Sequence, residues 1–225
     1  TTFRSLASGV MVRPFSAKIL GLSDIQLTVT GFFAPAVIVL LLQHFSITFA
    51  SLSIVRETRS GIMELFRVAP ITAFETLTGK YLSYLFFEII LAGIITALAI
   101  WLLKIPILGH MPDYALAVVV LLFTSLGVGF FISLISETDT QAVQYSMLLL
   151  LASIFFSGFF LDLRLMREPI TVLAWSLPAT YGIRMLQDIM LRGSSIPLLI
   201  FLGIAAIGIA LFLFDWILLR KKMES

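Results

Sequence analysis

Long apolar runs dominate this chain, and the polar residues are confined to the gaps between them. A hydrocarbon core about 30 Å thick requires about 20 apolar residues in a helix. Runs of this kind lie at residues 31–55, 81–103, 114–135, 142–160 and 196–219. Each run is expected to be α-helical, because an unpaired backbone polar group in lipid is very costly. The pattern predicts an all-α polytopic membrane bundle with about five transmembrane helices.

Composition supports a membrane protein and narrows its chemistry. The chain is 60% hydrophobic and 12% charged, whereas soluble domains are about 45–50% apolar and about 25% charged. It has no cysteine, which excludes disulfides, thiolate metal sites and cysteine catalysis. Its basic residues are scattered, so nucleic acid is not an expected partner. We expect membrane lipid around the chain, no metal site and no cofactor of its own.

The domain organisation follows from the first apolar run. Residues 1–30 are interpreted as an external tail, the end of an extracellular segment, and residues 31–225 as the transmembrane domain. The chain begins at Thr1 without a signal-peptide pattern, which suggests a processed chain or a fragment. If the C-terminus is cytoplasmic, seven Lys and Arg residues lie inside and eight outside. The positive-inside rule therefore does not decide the orientation.

A short amphipathic helix is predicted between the first two runs. Gly61 interrupts the first helix, and apolar residues follow it at helical spacing. Pro70 ends this short helix, because proline disfavours helical conformation in the residue before it. Thr72 and Glu75 form a capping-box pattern that starts the next helix. The residues alone allow two interpretations: an anchor in the lipid headgroups, or a coupling element that docks into another protein.

The order of motifs across the chain resembles that of type-2 ABC exporter permeases. E-x-x-x-G-x-x-E-L starts at Glu57, P-I follows at residues 70–71, and E-x-x-x-G-K starts at Glu75. A second match begins at Ser157-Gly158-Phe159 and continues through L-P-A-T-Y at residues 177–181. No single motif is specific, and the resemblance depends on their order and spacing from about residue 31 to the C-terminus.

The resemblance implies a function and an orientation. Residues 61–68 would form the coupling helix, which faces the cytoplasm and contacts a separate nucleotide-binding ATPase subunit. ATP and Mg would bind that partner, and a second permease subunit would complete a homo- or heterodimer. The C-terminus would be cytoplasmic in a cell membrane of the bacterial inner or plasma type. The implied coupling residues are Glu57, Gly61, Ile62, Glu64, Leu65, Phe66, Pro70, Glu75, Gly79 and Lys80.

Two departures from the family pattern matter. Ile62 occupies a position where the family usually has threonine, so a capping hydroxyl is missing. The family usually has six spans, and we interpret this chain as the C-terminal part of a longer permease that lacks the first. The ATPase motif G-x-x-x-x-G-K-[ST] is also not matched at Gly79-Lys80, because Phe74 and Tyr81 replace the first glycine and the hydroxyl residue. The chain is therefore not expected to be an enzyme.

The resemblance also implies a short external helical hairpin between residues 161 and 195, which dips back into the outer leaflet. The alternative is a plain surface loop. The implied hairpin residues are Gly158, Pro178, Tyr181 and Gly193.

Two ionisable residues lie within the first two runs. An ionised carboxylate is costly in lipid, so Glu88 should face protein, and a contact with His44 is within reach. The pair is either a polar gate or substrate contact, or a structural hydrogen bond, and Glu88 can also pair with Arg56 or Arg59. An alternative function is a proton-coupled secondary transporter that uses Glu88 and His44 and needs no ATPase.

Structural roles are also expected for Asp215 and for four glycines. Asp215 is expected in the inner headgroup region beside Arg220, as an anchor. Four glycines are expected to allow close helix packing or to form a dimer face. They are Gly127, Gly129, Gly203 and Gly208.

Overall fold

A computed structural model of the chain describes residues 29–62, 64, 71–160 and 167–224. The described residues form helices and connecting turns, without strands. The helices are α1 (Val29–Arg59), α2 (Ala73–Trp101), α3 (Met111–Ile135), α4 (Asp139–Phe156), α5 (Ile170–Ser176), α6 (Pro178–Arg192) and α7 (Leu198–Glu224). The predicted all-α membrane bundle is confirmed. Most of the predicted external tail lies outside the described residues.

Four of the described helices, α1, α2, α3 and α7, are long and apolar enough to cross a membrane. The run predicted at residues 142–160 forms α4, which has 18 residues and would be about 27 Å long. Helix α4 is not among the four helices that are long and apolar enough to cross a membrane. Its first turn carries polar residues such as Asp139. The count of five spans therefore stays a prediction. Helix α2 begins at Ala73, directly after the predicted capping residue Thr72, and continues into the second apolar run.

Helix α3 lies at the centre of the bundle, where α1, α2, α4, α6 and α7 all pack against it. The apolar stretches of α3 and α1 are 67% and 61% buried, whereas those of α2 and α7 are only 22% and 17% buried. Helices α2 and α7 therefore turn broad apolar faces away from the chain. Phe87 and Leu199, which are 74% and 86% exposed, lie on these faces.

The predicted glycines do allow close helix packing, and the contacts lie within the chain. A Cβ atom added to Gly129 in α3 would lie 2.5 Å from the Ala50 Cβ and 2.8 Å from the Ile47 carbonyl oxygen in α1. Normal contacts between carbon atoms are about 3.5–4.0 Å, so α1 and α3 reach this separation only with glycine there. Similar close contacts occur at Gly127 with Leu211, Gly208 with Thr124, and Gly203 with the Tyr181 ring.

The ends of the helices that flank the predicted coupling segment have the expected signals. Helix α1 ends at Arg59. Gly61 then has a φ of 76°, a left-handed backbone conformation that glycine adopts more readily than other residues. Thr72 Oγ1 accepts a hydrogen bond from the Glu75 backbone N–H at 3.2 Å. The Glu75 carboxylate accepts one from the Thr72 N–H at 2.8 Å. The predicted helix break and capping box are confirmed. Residues 63 and 65–70 lie outside the described residues, and they include the predicted coupling residues Leu65, Phe66 and Pro70.

The predicted external hairpin corresponds to α5 and α6. Helix α6 starts at Pro178 and ends before Gly193, whose φ of 64° closes the helix. Its buried side, which includes Ile183, Leu186 and Ile189, packs against the bundle. A plain surface loop is therefore wrong for residues 170–192. Insertion into the outer leaflet stays a prediction, and residues 161–166 lie outside the described residues.

Two further hairpin residues were predicted, and both have a local structural role. The Tyr181 ring lies 5.1 Å from the Trp175 ring, in an edge-to-face arrangement that joins α6 to α5. Gly158 follows α4 with a φ of 91°, so the chain turns there in a conformation that residues with a Cβ rarely adopt.

Candidate functional site

An ion pair joins the two helices that flank the predicted coupling segment. Lys80 in α2 pairs with Glu57 near the end of α1, and its Nζ also donates a hydrogen bond to Ser53 Oγ at 3.0 Å. The Lys80 and Glu57 side chains are only 12% and 24% exposed. Water screens such a pair less than a surface pair, and removal of one partner leaves a poorly solvated charge. Two of the predicted coupling residues are thus in direct contact.

A second ionic contact joins the end of α1 to the start of α4. Asp139 accepts hydrogen bonds from Arg56 Nε at 3.1 Å and from an Arg59 guanidinium nitrogen at 3.4 Å. Asp139 is the first residue of α4, where an acidic side chain also interacts favourably with the helix dipole. The sequence assigns no such role to Asp139, which lies in the short gap between the third and fourth apolar runs. Among the described residues Arg56 and Arg59 pair with Asp139 rather than with Glu88.

The other described coupling residues form an open surface beside these contacts. Ile62 is 40% exposed, and the Glu64 side chain is also exposed. No atom of the described residues lies within 4 Å of the position that a Cβ atom would take at Gly79. Phe74, in the first turn of α2, is 48% exposed. This end of the bundle therefore presents mixed apolar and acidic groups that a partner can contact.

Glu88 has a different partner from the one predicted. It is 3% exposed, and its Oε2 accepts a hydrogen bond from Ser46 Oγ in α1 at 2.5 Å. The His44 ring instead lies 6.4 Å from the Phe45 ring. Residues two apart in a helix differ by about 200° around its axis, so His44 lies on another side of α1 from Ser46. The predicted contact between His44 and Glu88 is wrong, and the expectation that Glu88 faces protein is confirmed.

Asp215 is buried, which corrects its predicted place in the headgroup region. Its exposure is 0%, and Oδ2 accepts a hydrogen bond from the Tyr81 hydroxyl in α2 at 3.5 Å. Arg220 pairs instead with Glu224, at 2.8 Å. Five residues separate Asp215 and Arg220, so they differ by about 140° around α7. Nearness in sequence therefore suggested a position beside Arg220, although the two side chains lie on different sides of the helix.

Small polar residues inside the apolar runs form hydrogen bonds between α1 and α4 that sequence reasoning missed. Gln43 Nε2 donates to Ser153 Oγ at 2.9 Å, and Ser146 Oγ donates to Ser51 Oγ at 3.0 Å. All four residues are fully or almost fully buried. Polar residues in such runs commonly bond across helices, so their occurrence in both runs was the available signal.

The helices and their buried polar contacts define an integral membrane protein that crosses the bilayer several times. The chain belongs to the ABC-2 type transporter family, whose model matches residues 4–191. The resemblance seen in the motifs is therefore confirmed, and the chain is a membrane part of an ABC transporter.

Several curated proteins are similar to the chain. The probable multidrug ABC transporter permease YbhS of Escherichia coli (strain K12) is 24% identical over 197 residues, which cover 86% of this chain and 52% of YbhS. The inner membrane transport permease YhhJ of the same strain is 27% identical over 77% of this chain and 47% of its own length. ABC transporter G family member 20 of Dictyostelium discoideum is 26% identical over 72% of this chain and 22% of its own length. The chain thus spans about half the length of the E. coli relatives, and no solved structure matches it.

Proposed function

We propose that the chain is the permease part of an ATP-driven exporter, in which a separate nucleotide-binding subunit moves the helices by binding residues 61–68. The observation that carries the proposal is the shielded ion pair between Glu57 and Lys80. It joins α1 and α2 next to the segment that connects them. Family membership and the permease names of two relatives support an ABC transport function.

The proposed mechanism uses the contacts at the ends of α1 and α2. The partner subunit, which would hold ATP and Mg, pushes on the segment that starts after Gly61 and ends before the capped start of α2. The Glu57–Lys80 ion pair makes α1 and α2 respond together, and Asp139 extends the response to α4. Differential affinity of the partner for two arrangements of the helices would supply the free energy.

We further propose that this end of the bundle is cytoplasmic in a bacterial inner or plasma membrane. Ile54 of α1, Ala73 of α2 and Leu219 of α7 belong to one buried cluster, so the ends of α1 and α7 lie at the same side as the start of α2. Basic residues lie in the last turns of α1 and α7, but the count over the whole chain does not decide the orientation, so the cytoplasmic assignment follows from the resemblance to the family. A second permease subunit, identical or related, would complete the transport path.

Copurification tests the proposal directly. The protein at its full natural length is purified in mild detergent, and we expect a nucleotide-binding ATPase to copurify. Glu64→Lys should weaken this association about tenfold, because charge reversal within an interface removes attraction and adds repulsion. Glu168→Lys is the matched control, since Glu168 is also exposed but lies beside the α5–α6 hairpin.

Two results would count against the proposal. One is normal assembly and normal ATPase coupling in Glu64→Lys. The other is transport by the isolated protein without any ATPase partner, which would favour the proton-coupled alternative that uses Glu88 and His44.

A further inference from the structure

A groove between α1 and α2 has the size and walls of a small-molecule site. Its volume is about 800 Å³, and such sites are commonly about 300–1,000 Å³. Phe45 and Phe49 of α1 line one side with nearly parallel rings, 6.0 Å apart and inclined by 18°. Tyr84 and Phe87 of α2 line the other side. The groove therefore offers several aromatic faces to an occupant.

The charges in this groove do not cancel. Three charged residues line it, and two have ion-pair partners among the described residues. Arg56 pairs with Asp139, and Glu57 pairs with Lys80. Glu88 is the third, and no salt bridge among the described residues involves it. In its ionised form, Glu88 adds to this apolar groove one negative charge that no salt bridge among the described residues compensates.

The carboxyl group of Glu88 also has unused hydrogen-bonding capacity. Ser46 donates to one oxygen, while Oε1 is buried and has no hydrogen-bond partner among the described residues. The residue is 3% exposed, so water does not screen its charge. A buried carboxylate is costly unless a cation lies near it. A cation in the groove would therefore be attracted more strongly than one beside an exposed carboxylate.

We propose that this groove binds a hydrophobic organic cation, with Glu88 as its counter-ion and the aromatic rings as the surface that holds its apolar part. Aromatic faces attract cations as well as apolar groups, so both features of the groove select the same ligand class. Binding itself does not require the proposed export function; the role of the groove in loading a transported cation does rest on it.

Other occupants have different chemical requirements. A lipid acyl chain fills the apolar part of the groove but brings no charge to Glu88. A further helix of the full-length protein would close the groove to small molecules. An anionic amphiphile would be repelled by Glu88. None of these occupants gives selective binding of a cation when two probes of the same shape and opposite charge are compared.

The probes are tetraphenylphosphonium and tetraphenylborate, which differ mainly in the sign of their charge. Binding is measured on the full-length protein in nanodiscs of zwitterionic lipid, without nucleotide. We expect saturable binding of tetraphenylphosphonium and none of tetraphenylborate. Glu88→Gln should weaken the affinity for the cation about tenfold or more, because the charge is lost while the side-chain size is kept. Glu137→Gln is the matched control, since Glu137 is exposed and does not line the groove.

A second measurement needs no variant. A hydrophobic carbodiimide should modify Glu88 in the unaltered protein, as detected by mass spectrometry, and tetraphenylphosphonium should slow that modification about tenfold at saturation. Unchanged modification would overturn the proposal even if Glu88→Gln fails to fold.

Three binding results would also overturn it. Absence of saturable cation binding means that lipid or another helix occupies the groove. Equal binding of both probes means that charge does not select the ligand. Equal cation affinity in Glu88→Gln means that the site lies elsewhere. ATPase copurification does not depend on Glu88, so this proposal and the proposed function can fail separately.

Discussion

Replacement of Gly129 by alanine should loosen the contact between α1 and α3. The added Cβ would lie 2.5 Å from the Ala50 Cβ, and an unstrained contact needs about 3.5 Å. The two helices must therefore separate locally by about 1 Å. The nearest backbone atom, the Ile47 carbonyl oxygen at 2.8 Å, cannot move without its helix. Overpacking of this kind costs about 1–3 kcal/mol.

The matched control is Gly93→Ala in α2, where no atom lies within 4 Å of the added Cβ. In both variants the higher helix propensity of alanine raises the free energy of unfolding by about 0.5–1 kcal/mol relative to glycine. The difference between them isolates the packing cost, so Gly129→Ala should be less stable than Gly93→Ala by about 1–3 kcal/mol. Reversible unfolding of the full-length protein in mixed micelles with dodecyl sulfate, followed by tryptophan fluorescence, measures this difference. Equal stability of the two variants would refute the reasoning.

Two more predictions concern buried polar contacts. Lys80→Met should destabilise the protein by about 1–3 kcal/mol, because Glu57 then keeps a shielded charge without a partner. Addition of Glu57→Gln to this variant should recover much of the lost stability. A double-mutant cycle in which the two losses are purely additive would contradict the pairing. Tyr81→Phe should cost about 0.5–1.5 kcal/mol, because the buried carboxyl of Asp215 loses its long hydrogen bond of 3.5 Å. Asp215→Asn in the Tyr81→Phe background should cost less than Asp215→Asn alone if the two groups interact, and thermal melting in detergent measures both values.

Sequence reasoning was most successful where a single residue type determines local geometry. Gly61 and the capping pair Thr72 and Glu75 give signals that depend only on their immediate neighbours, and the structure has all three as expected. The close approach at Gly129 was also predictable, because small residues commonly mark helix contacts in membranes. Its partner helix was not predictable, since glycine does not specify what packs against it.

The polar residues inside the spans were harder to assign. Position in the sequence gives the depth of a residue in the membrane, but it does not give the direction in which its side chain points. Glu88 was therefore placed at a depth within reach of His44, although the structure bonds it to Ser46. Asp215 was placed near Arg220 for the same reason, and it bonds to Tyr81. Only the packing of the helices supplies the missing direction.

The central position of α3 limits how this bundle can change shape. A tilt of α3 would disturb its packing with five other helices at once, and well-packed interfaces resist gradual deformation. Only 22% of the apolar stretch of α2 is buried within the chain. Helix α2 can therefore slide or rotate while it breaks contacts on one side only. The segment after Gly61 thus leads into one of the two membrane-length helices that the rest of the bundle restrains least.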